Sequence, residues 1–207
     1  ARLLAPRGDV AALVEAADAE FDGLRVAREH DRGVAPPSAV VVDDRAQYIG
    51  RVPATGGRVE RVTEGRRVVT SPSPGPDGAL AVVAATATEP AEIHALENGR
   101  LRKLTAHNDA WLSGVLLGST EDFTSISRDK TDVHGLVVKP PTFTAGRRYP
   151  ALLRIHGGPN GQDELSFNFE RELFAAHGYV VIAVNYRGSN GRGSAFQKAI
   201  YADWGNK

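Results

Sequence analysis

The residues best suited to chemistry gather in one short loop, His156-Gly157-Gly158-Pro159, directly after the apolar run Ala151, Leu152, Leu153 and Ile155. Such a run reads as a buried strand, and an ordinary turn would be enough to end it. Two successive glycines instead leave backbone N–H groups with no side chain in front of them. That arrangement suits acyl transfer. A carbonyl attacked by a nucleophile gathers negative charge on its oxygen, and a preset backbone donor stabilises that charge. The plainer reading is a tight turn that needs glycine dihedrals, with His156 packing or capping.

The flanking elements must hold this loop. "FTSISRDKTDVHGLVVKPPTF" reads as a hairpin: a strand over Phe123–Ser127, a turn over Arg128–Thr131, and a strand over Val133–Val138 that Pro140-Pro141 stops. After the strand Ala151–Ile155 and the HGGP loop, "LSFNFERELFAAHG" predicts a helix. Phe169, Leu173, Phe174 and His177 share one side of it, and Gly178 is its C-terminal stop. "YVVIAVN" then predicts a strand buried on both faces, with Val180–Val184 central in its sheet. Strand, helix and strand make a βαβ unit. In "YRGSNGRGSAF" the glycines predict a loop, with Ser194 capping a helix through Phe196, Ile200 and Trp204. An oxyanion loop after the third strand is the α/β-hydrolase placement, where the second donor follows the nucleophile.

Up to about Leu117 the pattern is different, with short apolar segments between turn residues. "PSAVVVDDRAQYIGRV" predicts two strands about an Asp43-Asp44 turn, and "GGRVERVTEGRRVV" repeats the form. Pro76-Asp77-Gly78 is a turn by its own chemistry. Ala79–Ala85 and Ile93–Leu96 are strands, and Asn98-Gly99 is a hairpin signal. This spacing suits sandwich or propeller sheets. In "DVAALVEAADAEF", Val10, Leu13, Val14, Ala17 and Phe21 fall at helical spacing.

Composition narrows the function. The 25 basic and 25 acidic residues cancel, so there is no electrostatic case for nucleic acid or an anionic membrane as partner. No apolar run reaches the length of a membrane span. The opening "ARLLAPRGDV" has no long apolar core of a secretory leader, and a cytoplasmic location is expected. With no cysteine, disulfides and thiolate metal sites are excluded. His and carboxylates show no ligand spacing, so neither a metal nor an organic cofactor is expected.

A nucleophilic serine of this chemistry belongs in G-x-S-x-G, and the sequence contains no such string. "RGSNG" is a near miss, with Arg187 in the place of the first glycine and Ser189 in a loop; Ser194 fails likewise. His30, His94, His107, His134 and His177 read as structural or surface residues, and Asp203 and Trp204 as packing residues of a terminal helix.

"RIHGGPNGQ" followed by "GYVVIAVNYRGSNGRGSAF" and "ADWG" resembles the prolyl oligopeptidase family of serine peptidases, in its acylaminoacyl-peptidase and dipeptidyl-peptidase branches. "SPSPGPDGALAVVAATATEPAEIHAL", "LTAHNDAWL" and "VHGLVVKPPTF" look like that family's last blade and the entry into its hydrolase domain. The resemblance implies incomplete β-propeller blades over residues 1–117 and the first part of an α/β-hydrolase domain over 118–207. It implies strands, not a helix, in "DVAALVEAADAEF". Gly158 matches the family's backbone oxyanion donor, with His156, Gly157 and Pro159 lining the substrate beside it. His156 stands where some branches place a donating tyrosine, and Pro159 departs from HGGG. The implied activity is acyl-enzyme hydrolysis of short peptides or of blocked and unblocked aminoacyl substrates. The triad serine, aspartate and histidine are expected on the remainder of the polypeptide, so this chain alone is expected to be inactive. A homo-oligomer is compatible. The alternatives are a lipase-type carboxylesterase, against which the upstream strands argue, and a non-catalytic propeller binding module.

Overall fold

The computed structural model describes residues 25–26, 38–51, 58–76, 79–158, 160–203 and 205. The segment "DVAALVEAADAEF", residues Asp77 and Gly78 of the expected turn, His30, Pro159 and Trp204 lie outside them.

Two sheets form. In the first, β1 (Arg25–Val26), β2 (Ser38–Asp43), β3 (Ala46–Arg51) and β4 (Glu60–Arg61) run as an antiparallel meander. β5 (Val68–Pro74), β6 (Leu80–Ala85), β7 (Glu92–Glu97) and β8 (Arg100–Lys103) run as a second. A single parallel pairing, Gln47 with Val68, joins the two into one 8-stranded sheet. Its core is β-branched and small: Val40, Ile49, Val69, Val82 and Ala84.

That core corrects the expected Asp43-Asp44 turn. Asp43 pairs with Ala46, so the turn is Asp44-Arg45. A slip of one residue would turn every side chain of the strand to its other face and lose the pairing of Val40 with Ile49. "GGRVERVTEGRRVV" is not a hairpin of its own. Val62 N–H donates to Ile49 O at 2.8 Å and Ile49 N–H to Thr63 Oγ1 at 3.0 Å, which keeps the chain beside β3 before it starts the second meander. The Asn98-Gly99 turn forms as expected, with φ of 50° and 78°.

Below the second meander, buried Glu92 accepts from Asn108 N–H and Nδ2, each at 2.8 Å, and from the Thr105 hydroxyl. It thereby fixes the entry to a short helix, α1 (Asp109–Leu112). The Thr105 hydroxyl first, and then these amide donors, hold the Glu92 carboxyl at about 2, down from an ordinary 4.5. A lowered folded-state pKa contributes stability above the unfolded value and loses it as pH falls through the folded one. Acid titration of wild type against Glu92→Gln is therefore expected to show a stability difference that shrinks between pH 4.5 and about 2. A difference constant over that range would contradict the carboxylate's role.

The second sheet has the order β11-β12-β10-β9, with β9 (Ser119–Ile126), β10 (Asp132–Lys139), β11 (Ala151–Ile155) and β12 (Val180–Asn185). β9 and β10 are the expected hairpin; β9 starts four residues earlier and ends one earlier, and β10 is longer by one residue at each end. β11 and β12 are parallel and joined through α2 (Phe169–Ala176), so β12 lies inside the sheet as expected. Asn168 caps α2 by accepting from Arg171 N–H at 3.0 Å, and Gly178, at φ 87°, ends it.

Several expectations fail here. β11, expected to be a buried strand, is the edge strand of its sheet, with Leu153 64% and Ile155 67% exposed. The apolar side of α2 points outward: Phe169 is 66% exposed, Leu173 43% and Phe174 37%. Ala175 faces the sheet instead, against Val138 and Val181, because its small side chain lets the helix lie close. Periodicity picks out the stripe but not the neighbour that covers it. β12 alternates between buried Val181, Ala183 and Asn185 and half-buried Val180, Ile182 and Val184, since α2 covers only one face among the described residues. Ser194 is not a cap: it opens the helix α3 (Ser194–Lys198) with Gly193 before it. That helix ends before Ile200, and Asp203 lies outside any helix. Among the described residues no helix is long and apolar enough to cross a membrane.

Candidate active site

β11 delivers His156 and the two glycines to the end of the second sheet, and β12 delivers a second loop, 186–193, beside them. The His156 ring, 8% exposed, stacks on Tyr186 with centroids 4.5 Å apart. The Tyr186 hydroxyl donates to His156 O at 2.6 Å. His156 Nε2 lies 2.9 Å from the hydroxyl of Ser189, which is fully buried and donates to Tyr186 O at 2.6 Å. Further along, Asn190 N–H donates to Gly161 O at 3.0 Å, and Asn190 Nδ2 to Asn160 O at 2.9 Å. The two loops are thus laced together along their length.

A polar layer beneath sets the height of the loop. Asn185, buried at the end of β12, accepts Asp163 N–H at 2.7 Å and donates to Asp163 O at 3.0 Å. The Asp163 carboxylate pairs with Arg154. Arg171, 3% exposed on the inner side of α2, donates to Glu164 O at 3.0 Å and Ser166 O at 2.5 Å. Burial pushes the Arg171 guanidinium below its usual value, against the pull of Asp163. Next to it, burial raises the Glu172 carboxyl, although Gly118 N–H donates to it at 2.7 Å.

Gly157 and Gly158 stand exposed above this layer. Gly158 sits at φ 123°, where a Cβ would approach Asn160 N to 3.1 Å, so glycine is required on both conformational and steric grounds. Its N–H meets no acceptor among the described residues. The result is an exposed glycine on a braced loop whose N–H has no acceptor among the described residues, as an oxyanion site would require. Among the described residues no group of His and carboxylate side chains converges as metal ligands would.

His156, Gly157 and Gly158 follow β11 directly, with His156 Nδ1 3.0 Å from Gly157 O. The His156 ring contacts Tyr186 and Ser189. Ser189 lies on no strand-to-helix elbow. Asp163, Arg171 and Asn185 were not singled out in the sequence. The available signal was a polar residue ending the inward alternation Val181, Ala183, Asn185.

Residues 165–207 match the sequence model of the prolyl oligopeptidase family, a stretch that includes Asn185 and the loop 186–193. The chain is 32% identical over 119 residues to the uncharacterized peptidase YuxL of Bacillus subtilis, covering 57% of this chain and 18% of that protein. It is 35% identical over 113 residues to dipeptidyl-peptidase 5 of Aspergillus fumigatus, covering 53% of this chain and 16% of that one. Over these residues the chain is similar to the prolyl oligopeptidase family. Among solved members of related fold, an acylaminoacyl peptidase in complex with Z-Gly-Gly-Phe-chloromethyl ketone superposes with a TM-score of 0.75 at 25% identity, over 87% of this chain and 28% of that one. The acylaminoacyl peptidase of Pyrococcus horikoshii gives 0.76 at 24% identity over 89% and 28%, a likeness of fold. The chain thus spans less than a third of the length of each of those proteins.

Proposed function

We propose that this chain supplies the oxyanion loop of a serine peptidase that acts through an acyl-enzyme, with the Ser-Asp-His triad carried by the remainder of the polypeptide. The observation that carries the reading is the exposed Gly158 N–H without an acceptor, at the end of the third strand of its sheet. When the nucleophile attacks the scissile carbonyl, charge builds on its oxygen. Gly158 N–H donates to that oxygen, alongside the N–H of the residue after the nucleophile. Because the loop is already braced, little reorganisation is needed as the charge develops.

In the same reading β1–β4 and β5–β8 are blades near the end of a β-propeller, and the second sheet begins an α/β-hydrolase domain. The antiparallel meanders support the first part, since each propeller blade is one such unit. The parallel β11–α2–β12 crossover supports the second. Short peptides and blocked or unblocked aminoacyl compounds are the proposed substrates, in keeping with the names of the acylaminoacyl-peptidase and dipeptidyl-peptidase relatives.

Fluorophosphonate labelling tests the division of labour. The full-length protein is expected to label at one serine and to hydrolyse an aminoacyl-anilide in preference to a short-chain ester. Residues 1–207 alone are expected not to label, because Ser189 is fully buried and donates its proton to Tyr186 O. Stoichiometric labelling of Ser189 or Ser194 in the isolated chain would overturn the assignment. A full-length protein that prefers the ester would point to a carboxylesterase.

A further inference from the structure

The turn Asp44-Arg45 belongs to the first sheet, yet its polar groups reach into the second. The Arg45 side chain is 7% exposed. Its Nη1 donates to Gly135 O at 3.1 Å and Phe123 O at 3.4 Å, and lies 3.3 Å from Asp122 Oδ1. Its Nη2 donates to Asp44 Oδ2 at 2.7 Å, and His134 Nδ1 is 3.0 Å from that same oxygen. These side chains fasten the turn to β9 and β10.

The backbone of the same turn holds the active-site loops. Arg45 N–H donates to Gln162 Oε1 at 3.0 Å, and Arg45 O accepts from Leu165 N–H at 2.7 Å. Asp44 N–H donates to Gly191 O at 2.9 Å. Next in the strand, Gln47 Nε2 donates to Glu164 Oε1 at 2.5 Å. Asp44 and Arg45 have φ of 33° and 71°, the left-handed region that Asn-Gly would occupy with less strain. A turn occupied by Asp-Arg in that conformation is kept there by what it contacts, and such outliers cluster at functional sites.

We infer that the Asp44-Arg45 turn is a positioning device for the oxyanion loop, acting through Gln162 and Leu165. The inference rests on the peptidase reading of Gly158. The glycine-rich segment between His156 and Gln162 is braced at its near end by Tyr186 and Ser189. At its far end the braces toward the first sheet are the bonds to Arg45. An oxyanion donor works only when held within about 0.5 Å of its place. Asn190 still ties Asn160 O and Gly161 O, so loosening the far end displaces Gly158 N–H without freeing the loop, and it leaves the ground-state contacts of a bound substrate in place. Arg45 and Gln162 are positioning residues here, since neither touches the reacting atoms.

The test uses the full-length peptidase, an aminoacyl-anilide substrate and a peptide aldehyde, whose tetrahedral adduct needs the oxyanion site. Gln162→Leu removes the acceptor of Arg45 N–H. It is expected to lower kcat about 10- to 100-fold, the penalty of a misplaced reacting geometry. KM should hold, and the aldehyde should bind more weakly by the same factor. Arg45→Ala should do the same and also lower Tm, so Gln162→Leu remains decisive if Arg45→Ala fails to fold. A Gln162→Leu enzyme with wild-type kcat, or one whose KM rises at constant kcat, overturns the positioning role. Gly158→Pro, run in parallel, separates the two ideas. If it leaves kcat unchanged, the oxyanion reading itself falls. If it abolishes turnover while Gln162→Leu does not, only the positioning role falls.

Discussion

On the proposed oxyanion role, Gly158→Pro in the full-length protein is expected to lower kcat about 10²- to 10³-fold, equivalent to about 3–4 kcal/mol of transition-state stabilisation. Proline removes the N–H and leaves no donor to replace it. The native N–H has no acceptor among the described residues, so its loss breaks no bond that they make. The cost should therefore fall on turnover, while KM moves little. Proline also forces φ to about −65°, far from the observed 123°, so the loop must refold locally. A Gly158→Ala enzyme controls for that strain, because it keeps the N–H. Its Cβ meets Asn160 N at 3.1 Å, a close contact rather than a missing donor. The informative result is the gap in kcat between the two variants at equal Tm. Equal kcat values for Ala and Pro would show that conformation, not hydrogen bonding, is what this position supplies.

The largest stability effect is expected at Arg171. Its side chain is 4% exposed, donates to Glu164 O and Ser166 O, and lies 3.9 Å from Asp163. Replacing it with Met of similar length leaves two carbonyls without their donor and a buried carboxylate short of one cation. Breaking a buried pair from one side costs about 3–5 kcal/mol, a large share of the roughly 5–15 kcal/mol that holds a domain together. Arg154 remains on Asp163, which places the expected loss toward the lower end of that range. Urea unfolding of the full-length protein and of Arg171→Met should differ in midpoint at equal slope. A shift below about 1 kcal/mol would mean that water replaces the guanidinium and that the layer under the loop is not dry.

Local chemistry in the sequence determined much of the fold. The Asn98-Gly99 turn needs two positive φ angles, and that pair adopts them readily, so a hairpin could be read there directly. Asn168 and Gly178 carry the cap and the stop of α2 in their own side chains, or in the lack of one. The β-branched run Val180–Val184 makes an interior strand by its composition. The exposed Gly157-Gly158 pair follows from glycine alone, and with it the oxyanion hypothesis.

Other features depended on what each residue meets across the fold. Which two residues make the turn between β2 and β3 was decided by the packing of Val40 on Ile49, a contact between strands, and not by the turn's own composition. The helical stripe of Phe169, Leu173 and Phe174 was legible, but its outward direction was not. Periodicity defines a face relative to the helix axis, and only the position of the sheet says which face is covered. The support of the glycine loop after β11 was the least legible part. Asp163 with Asn185, Arg45 with Gln162 and His156 with Ser189 are 22, 117 and 33 residues apart. Each is an ordinary polar residue in its own stretch of sequence. The chain determined where a free N–H could stand. Tertiary structure decided what holds it still, because a hydrogen bond between distant residues exists only once both strands that carry them have been placed.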